Sequence, residues 1–170
     1  MKNIVLVGFM GTGKSVVGRM LAKDLKRPFV DLDERIAKEA GQSIEQLFAT
    51  EGEAVFRQRE SKEVQAVASL QGVVIAAGGG VLLDEENVRA LKVSGTLVCL
   101  TARPEVILQR TKGTSRVRPL LSGPNPRERI EELLRLRAPS YAQADITIDT
   151  SDRPVQEVVV EISRRIHESS

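Results

Sequence analysis

The sequence predicts a three-layer α/β/α domain built on a five-stranded parallel sheet, and three observations carry that reading. The chain has 170 residues, 41% of them hydrophobic, enough for one core of ordinary size and too few for two. Five short runs of β-branched and aliphatic residues alternate with longer stretches whose apolar residues recur at helical spacing. The runs are apolar nearly throughout, as strands buried on both faces are, and such strands belong to parallel sheets covered by helices.

The expected strands are residues 4–7, 29–32, 73–76, 96–100 and 146–148. The first runs straight into glycine-rich sequence, and a helix is expected to open there and continue through SVVGRMLAKDL. The clearest helix is the last, with Val155, Val158, Val159, Ile162 and Ile166 on one face and charges on the other. Ile130, Leu133 and Leu134 repeat the pattern inside RERIEELLRLR. Residues 111–127 hold two Gly, three Pro and three Arg without periodicity, which reads as a long loop between helices. Loops of that length inside compact domains are commonly lids, the alternative being a disordered insertion. Right-handed crossovers put ligands at the carboxyl ends of the strands.

Gly8, Gly13, Lys14 and Ser15 fit G-x-x-x-x-G-K-[ST], here GFMGTGKS, between the first strand and the first helix. Glycines let the backbone wrap closely with its N–H groups turned inward, and the helix N-terminus adds partial positive charge. Lys14 is expected to reach the β- and γ-phosphates of a nucleotide and Ser15 to give its hydroxyl to Mg²⁺. The nucleotide-binding set read from this stretch is Gly11, Thr12, Gly13, Lys14, Ser15 and Val16. A glycine-rich turn that merely caps a helix is the plain alternative.

The loop says nucleotide without saying what is done with it, so the discrimination falls to a second metal carboxylate and a phosphoryl acceptor. The run at 73–76 leads into Ala77 and Gly78-Gly79-Gly80, and the run at 96–100 leads into Thr101-Ala102, so neither ends in Asp. NKxD is absent, which argues against a GTP switch, and the chain is too small for a motor with coupled lobes. Phe29-Val30-Asp31-Leu32-Asp33 offers another source, with Asp31 and Asp33 at i and i+2 on one side of an extended strand. Asp31 would then serve the metal and Asp33 the acceptor hydroxyl. The same acids opening DLDERIAKE are equally suited to capping a helix.

With these go LFATEGEAVFRQRE from Leu47 to Glu60, the glycines 78–80, RPLL from Arg118, LRAPSY from Leu136 and the closing DTSDRP. Together they resemble shikimate kinase, over essentially the whole chain and in the family's order. The resemblance implies a P-loop, nucleoside-monophosphate-kinase-like fold in a single domain, with a substrate-binding region at about 31–61 and a lid at about 112–125. It implies phosphorylation of the 3-hydroxyl of shikimate by ATP with Mg²⁺, in chorismate and aromatic amino-acid biosynthesis. It gives shikimate binding to Asp33, Arg57, Gly78, Gly79, Gly80 and Arg137, and metal binding to Ser15 and Asp31. Catalysis falls to Lys14, Asp33 and Arg118, and the flanks of the adenine to Arg110, Arg153 and Pro154. Arg118 is the lid arginine touching both ATP and substrate, chosen over the additional Arg116 because it immediately precedes Pro119.

The chemistry of the acceptor agrees, since a guanidinium fork matches a carboxylate and an acidic side chain orders hydroxyls. Without the family, Arg57 would read as a solvated charge and the three glycines as a flexible turn. A gluconate or nucleoside monophosphate kinase would share the loop but need other acceptor residues. A degenerate nucleotide-binding module is opposed by the intact Lys14, Ser15, Asp31, Asp33 and Arg57.

Composition removes other classes. Lys plus Arg number 25 against 23 Asp plus Glu, too balanced for coating a polyanion. Trp is absent and Tyr occurs once, so the stacking platforms of single-strand binders are missing. No window approaches 18 consecutive apolar residues. A cytoplasmic monomer acting on small molecules, with neither nucleic acid nor membrane as partner, is expected. Cys99 reads as a small buried hydrophobe and His167 as a solvated residue at a helix end.

Overall fold

The computed structural model describes residues 1–112, 119–121 and 123–169. In chain order these form β1 (Asn3–Gly8), α1 (Lys14–Asp24), β2 (Phe29–Asp31), α2 (Leu32–Ala40), α3 (Ile44–Ala68) and β3 (Val74–Ala76). There follow α4 (Glu85–Ser94), β4 (Gly95–Thr101), α5 (Pro104–Lys112), α6 (Pro126–Tyr141), β5 (Ile146–Asp149) and α7 (Val155–Glu168). Short 3-10 turns stand at Val81–Leu83 and Pro119–Leu121. The strands make one sheet in the order β2-β3-β1-β4-β5 with every pairing parallel. The chain moves to one side of β1 for its second and third strands and to the other for its fourth and fifth. The crevice at that reversal, beyond the carboxyl end of β1, is where such sheets bind ligands.

Alternation along the central strands divides the core. Val5, Val7, Ile75, Leu97 and Cys99 face Val64 and Val67 of α3 and Leu91 of α4. Ile4, Leu6, Val74, Val98 and Leu100 face Val17 and Leu21 of α1 and Val158, Val159 and Ile162 of α7. Each such side chain contributes about 1.5–3 kcal/mol by leaving water, so the sheet is anchored from both sides. Burial also pushes the Cys99 thiol up to about 11, in keeping with its place as a core residue. His167 is exposed in the last turns of α7.

Two smaller clusters stand apart from the sheet. Phe9, Ile107, Ile130 and Leu133 tie the loop after β1 to α5 and α6. Ile36, Ile44, Leu47 and Phe56 join α2 to the first half of α3. That helix is opened by a reciprocal capping box between Ser43 and Gln46 and broken at Gly52, where φ is 84° and ψ 172°.

Three sequence expectations need correction. Burial on both faces holds for the central strands but not for the edges. β2 is only half-buried along its length, and β5 alternates, with Ile146 and Ile148 buried and Thr147 and Asp149 exposed. An edge strand has one neighbour and less helix over it, so its outer residues meet water. Strand β2 also ends at Asp31, one residue earlier than expected, because Asp31 caps α2 and Leu32 begins it. The unperiodic stretch 111–127 is shorter than it reads. Residues 111–112 complete α5 and Pro126 opens α6 as a first-turn proline, where its missing N–H costs nothing. Among the described residues no helix is long and apolar enough to cross a membrane.

Candidate active site

A cleft of about 340 Å³ opens beyond the carboxyl ends of β1 and β3, between the loop after β1 and the helices α2 and α3. Its two walls differ in construction.

The first wall is backbone. Gly8, Gly11 and Gly13 take φ values of 132°, 77° and 99°, a region that side-chain-bearing residues rarely enter. At Gly8 there is no room either, since a Cβ would collide with the carbonyl of Leu100 on β4. Gly13 caps α1, whose first turn carries no acidic side chain, so the positive end of the helix faces the loop uncompensated. Thr12 Oγ1, buried, donates to Phe9 O at 2.7 Å and holds the loop's curvature. Lys14 Nζ donates to the carbonyls of Gly8 at 2.7 Å and Phe9 at 2.8 Å. Val16 is largely exposed and lines the cleft.

Arg110, in the last turn of α5, lines the cleft and braces this loop. Its Nη1 donates to Gly11 O at 3.2 Å and to Thr150 Oγ1 at 3.0 Å, and its Nη2 to Thr150 O at 2.7 Å. Thr150 Oγ1 lies 2.9 Å from Thr12 O, so the turn after β5 is clasped onto the loop. Arg153 and Pro154 are not among the cleft-lining residues. Pro154 caps α7, and Arg153 donates to Asp149 O at 3.1 Å while pairing with Glu161 at 2.7 Å. Arg116 and Arg118 lie outside the described residues.

Between the walls stands Asp31. Its Oδ2 accepts the Ser15 hydroxyl at 2.7 Å, and its Oδ1 accepts from the Glu34 backbone N–H at 3.3 Å. The capping role and the position beside the phosphate loop, alternatives in the sequence, are both occupied by one carboxylate. A hydroxyl and a carboxylate at the foot of such a loop are hard oxygen donors of the kind Mg²⁺ takes, one or two from protein and the rest from phosphates and water.

The second wall is made of side chains on helices. Asp33 reaches it from the first turn of α2, not from a strand, so the expected i, i+2 alignment with Asp31 on one strand face is replaced by a strand-to-helix corner. Its Oδ1 lies 3.4 Å from the point a Cβ on Gly78 would occupy. The three glycines after β3 are needed for space, since none of them has positive φ. A Cβ on Gly78 would stand 2.7 Å from Glu60 Oε2, one on Gly79 3.3 Å from Arg137 Nη1, and one on Gly80 2.6 Å from Arg57 Nη2. Charged side chains from α3 and α6 therefore close directly onto the turn.

Arg57 donates to Glu60 Oε1 at 2.9 Å and to Glu53 Oε1 at 3.4 Å, and its guanidinium carbon lies 5.2 Å from the centre of the Phe56 ring. Arg137 is buried, with its guanidinium carbon 5.5 Å from the centre of the Phe9 ring and its Nη1 lacking any acceptor. A buried cation with an unmet donor is costly in isolation and suits a site awaiting an anion. Tyr141 donates its hydroxyl to Gly79 O at 2.6 Å, and burial pushes that phenol up to about 12 against the opposing pull of Arg137.

Glu60 and Tyr141 belong to this wall, and Thr150 to the clasp behind the other, although sequence reading singled out none of them. The signal was available for two. Glu60 stands at i+3 from Arg57 and Tyr141 at i+4 from Arg137, the spacings that bring helical side chains together. Thr150 carried none, because its partners Thr12 and Arg110 lie 138 and 40 residues away in the sequence.

Comparison with known proteins gives a consistent set of likenesses. A family model described as Shikimate kinase matches residues 10–167. The shikimate kinase of Thermodesulfovibrio yellowstonii is 48% identical over 162 residues, which are 95% of this chain and 93% of that protein. Among solved structures, shikimate kinase from Acinetobacter baumannii in complex with shikimate is 37% identical with a TM-score of 0.95, the match covering 100% of this chain and 95% of that one. Shikimate kinase from Aquifex aeolicus is 36% identical with a TM-score of 0.82, covering 98% and 97% of the two chains.

Proposed function

The chain belongs to the shikimate kinase family, and we propose from that premise how its residues divide the work. The reaction is the ATP-dependent phosphorylation of shikimate at its 3-hydroxyl, within aromatic amino-acid biosynthesis. The observation that carries the assignment of roles is the convergence of Arg57, Arg137 and Asp33 on one glycine turn within the same cleft as the phosphate loop.

Arg57 and Arg137 hold the substrate carboxylate, for which a planar fork is the best protein partner. Gly78, Gly79 and Gly80 let the ring lie close to the sheet. Asp33 orients the 3-hydroxyl and accepts its proton late in the transfer, since the transition state is loose and asks little of a base. Lys14 exchanges its carbonyl partners for the β- and γ-phosphates, and the backbone of Gly11, Thr12 and Gly13 with Ser15 and Val16 completes the nucleotide cradle. Arg110 shapes that cradle by holding the Gly11 carbonyl, while Arg153 and Pro154 flank the adenine. Arg118 supplies further positive charge from a lid over residues 112–125, half of which, Arg118 included, lies outside the described residues.

Ser15 and Asp31 would hold Mg²⁺, which supplies charge neutralisation of the transferring phosphoryl group when bound. We further read the protein as a single-domain monomer of the cytoplasm that binds neither nucleic acid nor membrane. Supporting the absence of a polyanionic partner, its formal charge is only +2.

The test is coupled ADP release with ATP, Mg²⁺ and shikimate, set beside gluconate and nucleoside monophosphates. Shikimate is expected to give the highest kcat/KM, and a higher value for either competitor overturns the acceptor assignment. Asp33→Asn should lower kcat by about 10²–10⁴-fold while Mg·ATP still binds, whereas Asp31→Asn should first weaken the dependence on Mg²⁺. Identical Mg²⁺ and shikimate titrations in the two variants would show that the acids do not divide the work this way.

A further inference from the structure

Glu60 is a carboxylate in a place that discourages one. It is 1% exposed, beneath a turn built to take a substrate anion. Its Oε1 accepts from Arg57, but its Oε2 is buried without a donor and is aimed at Gly78, where Asp33 Oδ1 also comes near. Burial raises its carboxyl above the ordinary range, with the neighbouring Asp33 adding to the rise and Arg57 and Arg137 opposing it. A neutral Gln at this position could accept the same hydrogen bond from Arg57 and would leave no lone carboxylate oxygen in the wall. Holding Arg57 in place therefore does not require the charge.

The electrostatic sum of the pocket gives the charge a purpose. Arg57 and Arg137 bring two positive charges to the glycine turn and Asp33 one negative charge, while Glu53 meets Arg57 at 3.4 Å from the solvent side, where water screens it, so without Glu60 the buried part of the wall would carry a net positive charge before any ligand arrived. Such a wall attracts a dianion more strongly than a monoanion, and the cell is rich in phosphate esters. We propose that Glu60 is a specificity-determining residue whose negative charge holds the Arg57–Arg137 pocket to singly charged carboxylates and keeps dianions such as phosphate and sulfate groups out. Selectivity here comes from a repulsive element set beside an attractive one. The proposal rests on the reading of this pocket as the carboxylate site and adds to it the rule by which that site rejects other anions.

Acetate and sulfate serve as the monoanion and dianion probes. Affinities are read by calorimetry at constant ionic strength, with the phosphate loop filled by Mg²⁺ and the β,γ-imido analogue of ATP. Displacement of each ion by shikimate identifies the pocket being titrated. Glu60→Gln and Glu60→Leu should each raise the ratio of sulfate to acetate affinity by about tenfold, as expected for losing one unit charge a few ångströms away. Glu60→Asp, which keeps the charge and shortens the arm, should stay within about twofold of the parent ratio. If one neutral variant has no melting transition, the other carries the measurement.

An unchanged ratio in the neutral variants overturns the proposal. So does a Glu60→Asp ratio shifted as far as theirs, because geometry and not charge would then be responsible. These ratios do not depend on turnover. Failure of shikimate to be phosphorylated, or to displace acetate, would strike the assigned function, while an unchanged ratio with normal turnover would strike this inference alone.

Discussion

The two walls of the cleft solve the problem of holding an anion with different materials. The phosphate wall is main chain, curved by three glycines of positive φ, wedged against Leu100 and clasped by Arg110 and Thr150. Its N–H groups are common to nearly all residues, so apart from Lys14 and Ser15 what the loop must specify is mainly the absence of side chains. The acceptor wall is the reverse, a set of long charged side chains from α2, α3 and α6 brought onto one turn. Part of its support is a satellite cluster of four buried residues away from the sheet. The lesson is that a site for a group common to many substrates can be written in backbone, while a site for one particular molecule must be written in side chains and the helices that carry them.

Substitutions can break that contrast at several depths. The largest effect is expected from Gly8→Ala, which puts a methyl group into the Leu100 carbonyl at a strained φ. A loss of more than about 3 kcal/mol in urea unfolding should accompany the loss of ATP binding. A variant that keeps both would show that the loop has more slack than its contacts suggest.

Arg57→Lys comes next and acts on the other wall alone. A lysine keeps the charge but loses the fork, so the KM for shikimate should rise by about 10- to 100-fold with little change in the KM for ATP. Equal shifts in both would mean that the walls are not independent.

Gly52→Ala sharpens the comparison further. No atom lies near enough to obstruct a Cβ there, so its cost is that of the backbone conformation alone, about 1–3 kcal/mol. The damage should fall on shikimate binding, because the break in α3 separates Ile44 and Leu47 from Phe56 and Arg57, which the satellite cluster otherwise holds together. Thermal melting combined with separate substrate titrations would show whether it does.

The smallest effect concerns Glu60. Its folded-state carboxyl is raised above the unfolded value, so ionisation destabilises the folded chain, and that cost is absent at pH values below the unfolded range, where both states are protonated. Glu60→Gln should therefore melt slightly higher than the parent at neutral pH, with the gap closing as pH falls toward 4.5. A gap that widens on acidification would mean that the pairing with Arg57 outweighs burial.

The contrast between the walls also explains what could be read from the sequence. The phosphate loop was legible because its residues are contiguous and its glycines and lysine have few other uses in that order. The sheet was legible because its strands are short apolar runs, although the edges β2 and β5 read as more buried than they are. Asp31 and Asp33 were found, but their geometry was misread, because a capping aspartate ends a strand and starts a helix without changing the local hydrophobic pattern. Arg57 and Arg137 became recognisable as a pair through family likeness. Nothing in a linear chain says that residues 80 positions apart will close on the same turn. Thr150 is hidden for the same reason, since its neighbours are supplied by the fold, whereas Glu60 and Tyr141 stand at helical spacing from Arg57 and Arg137 and could have been found with them.

The clasp between Thr150 and the loop after β1 joins positions 138 residues apart. The loop's own sequence is complete by Ser15, yet its brace arrives only after the fifth strand. At ordinary rates of synthesis the interval is on the order of ten seconds. During that time the nascent chain carries the nucleotide motif without this long-range brace. The residues of the acceptor wall are all made before that clasp can form, and a chain ending before Thr150 would lack it.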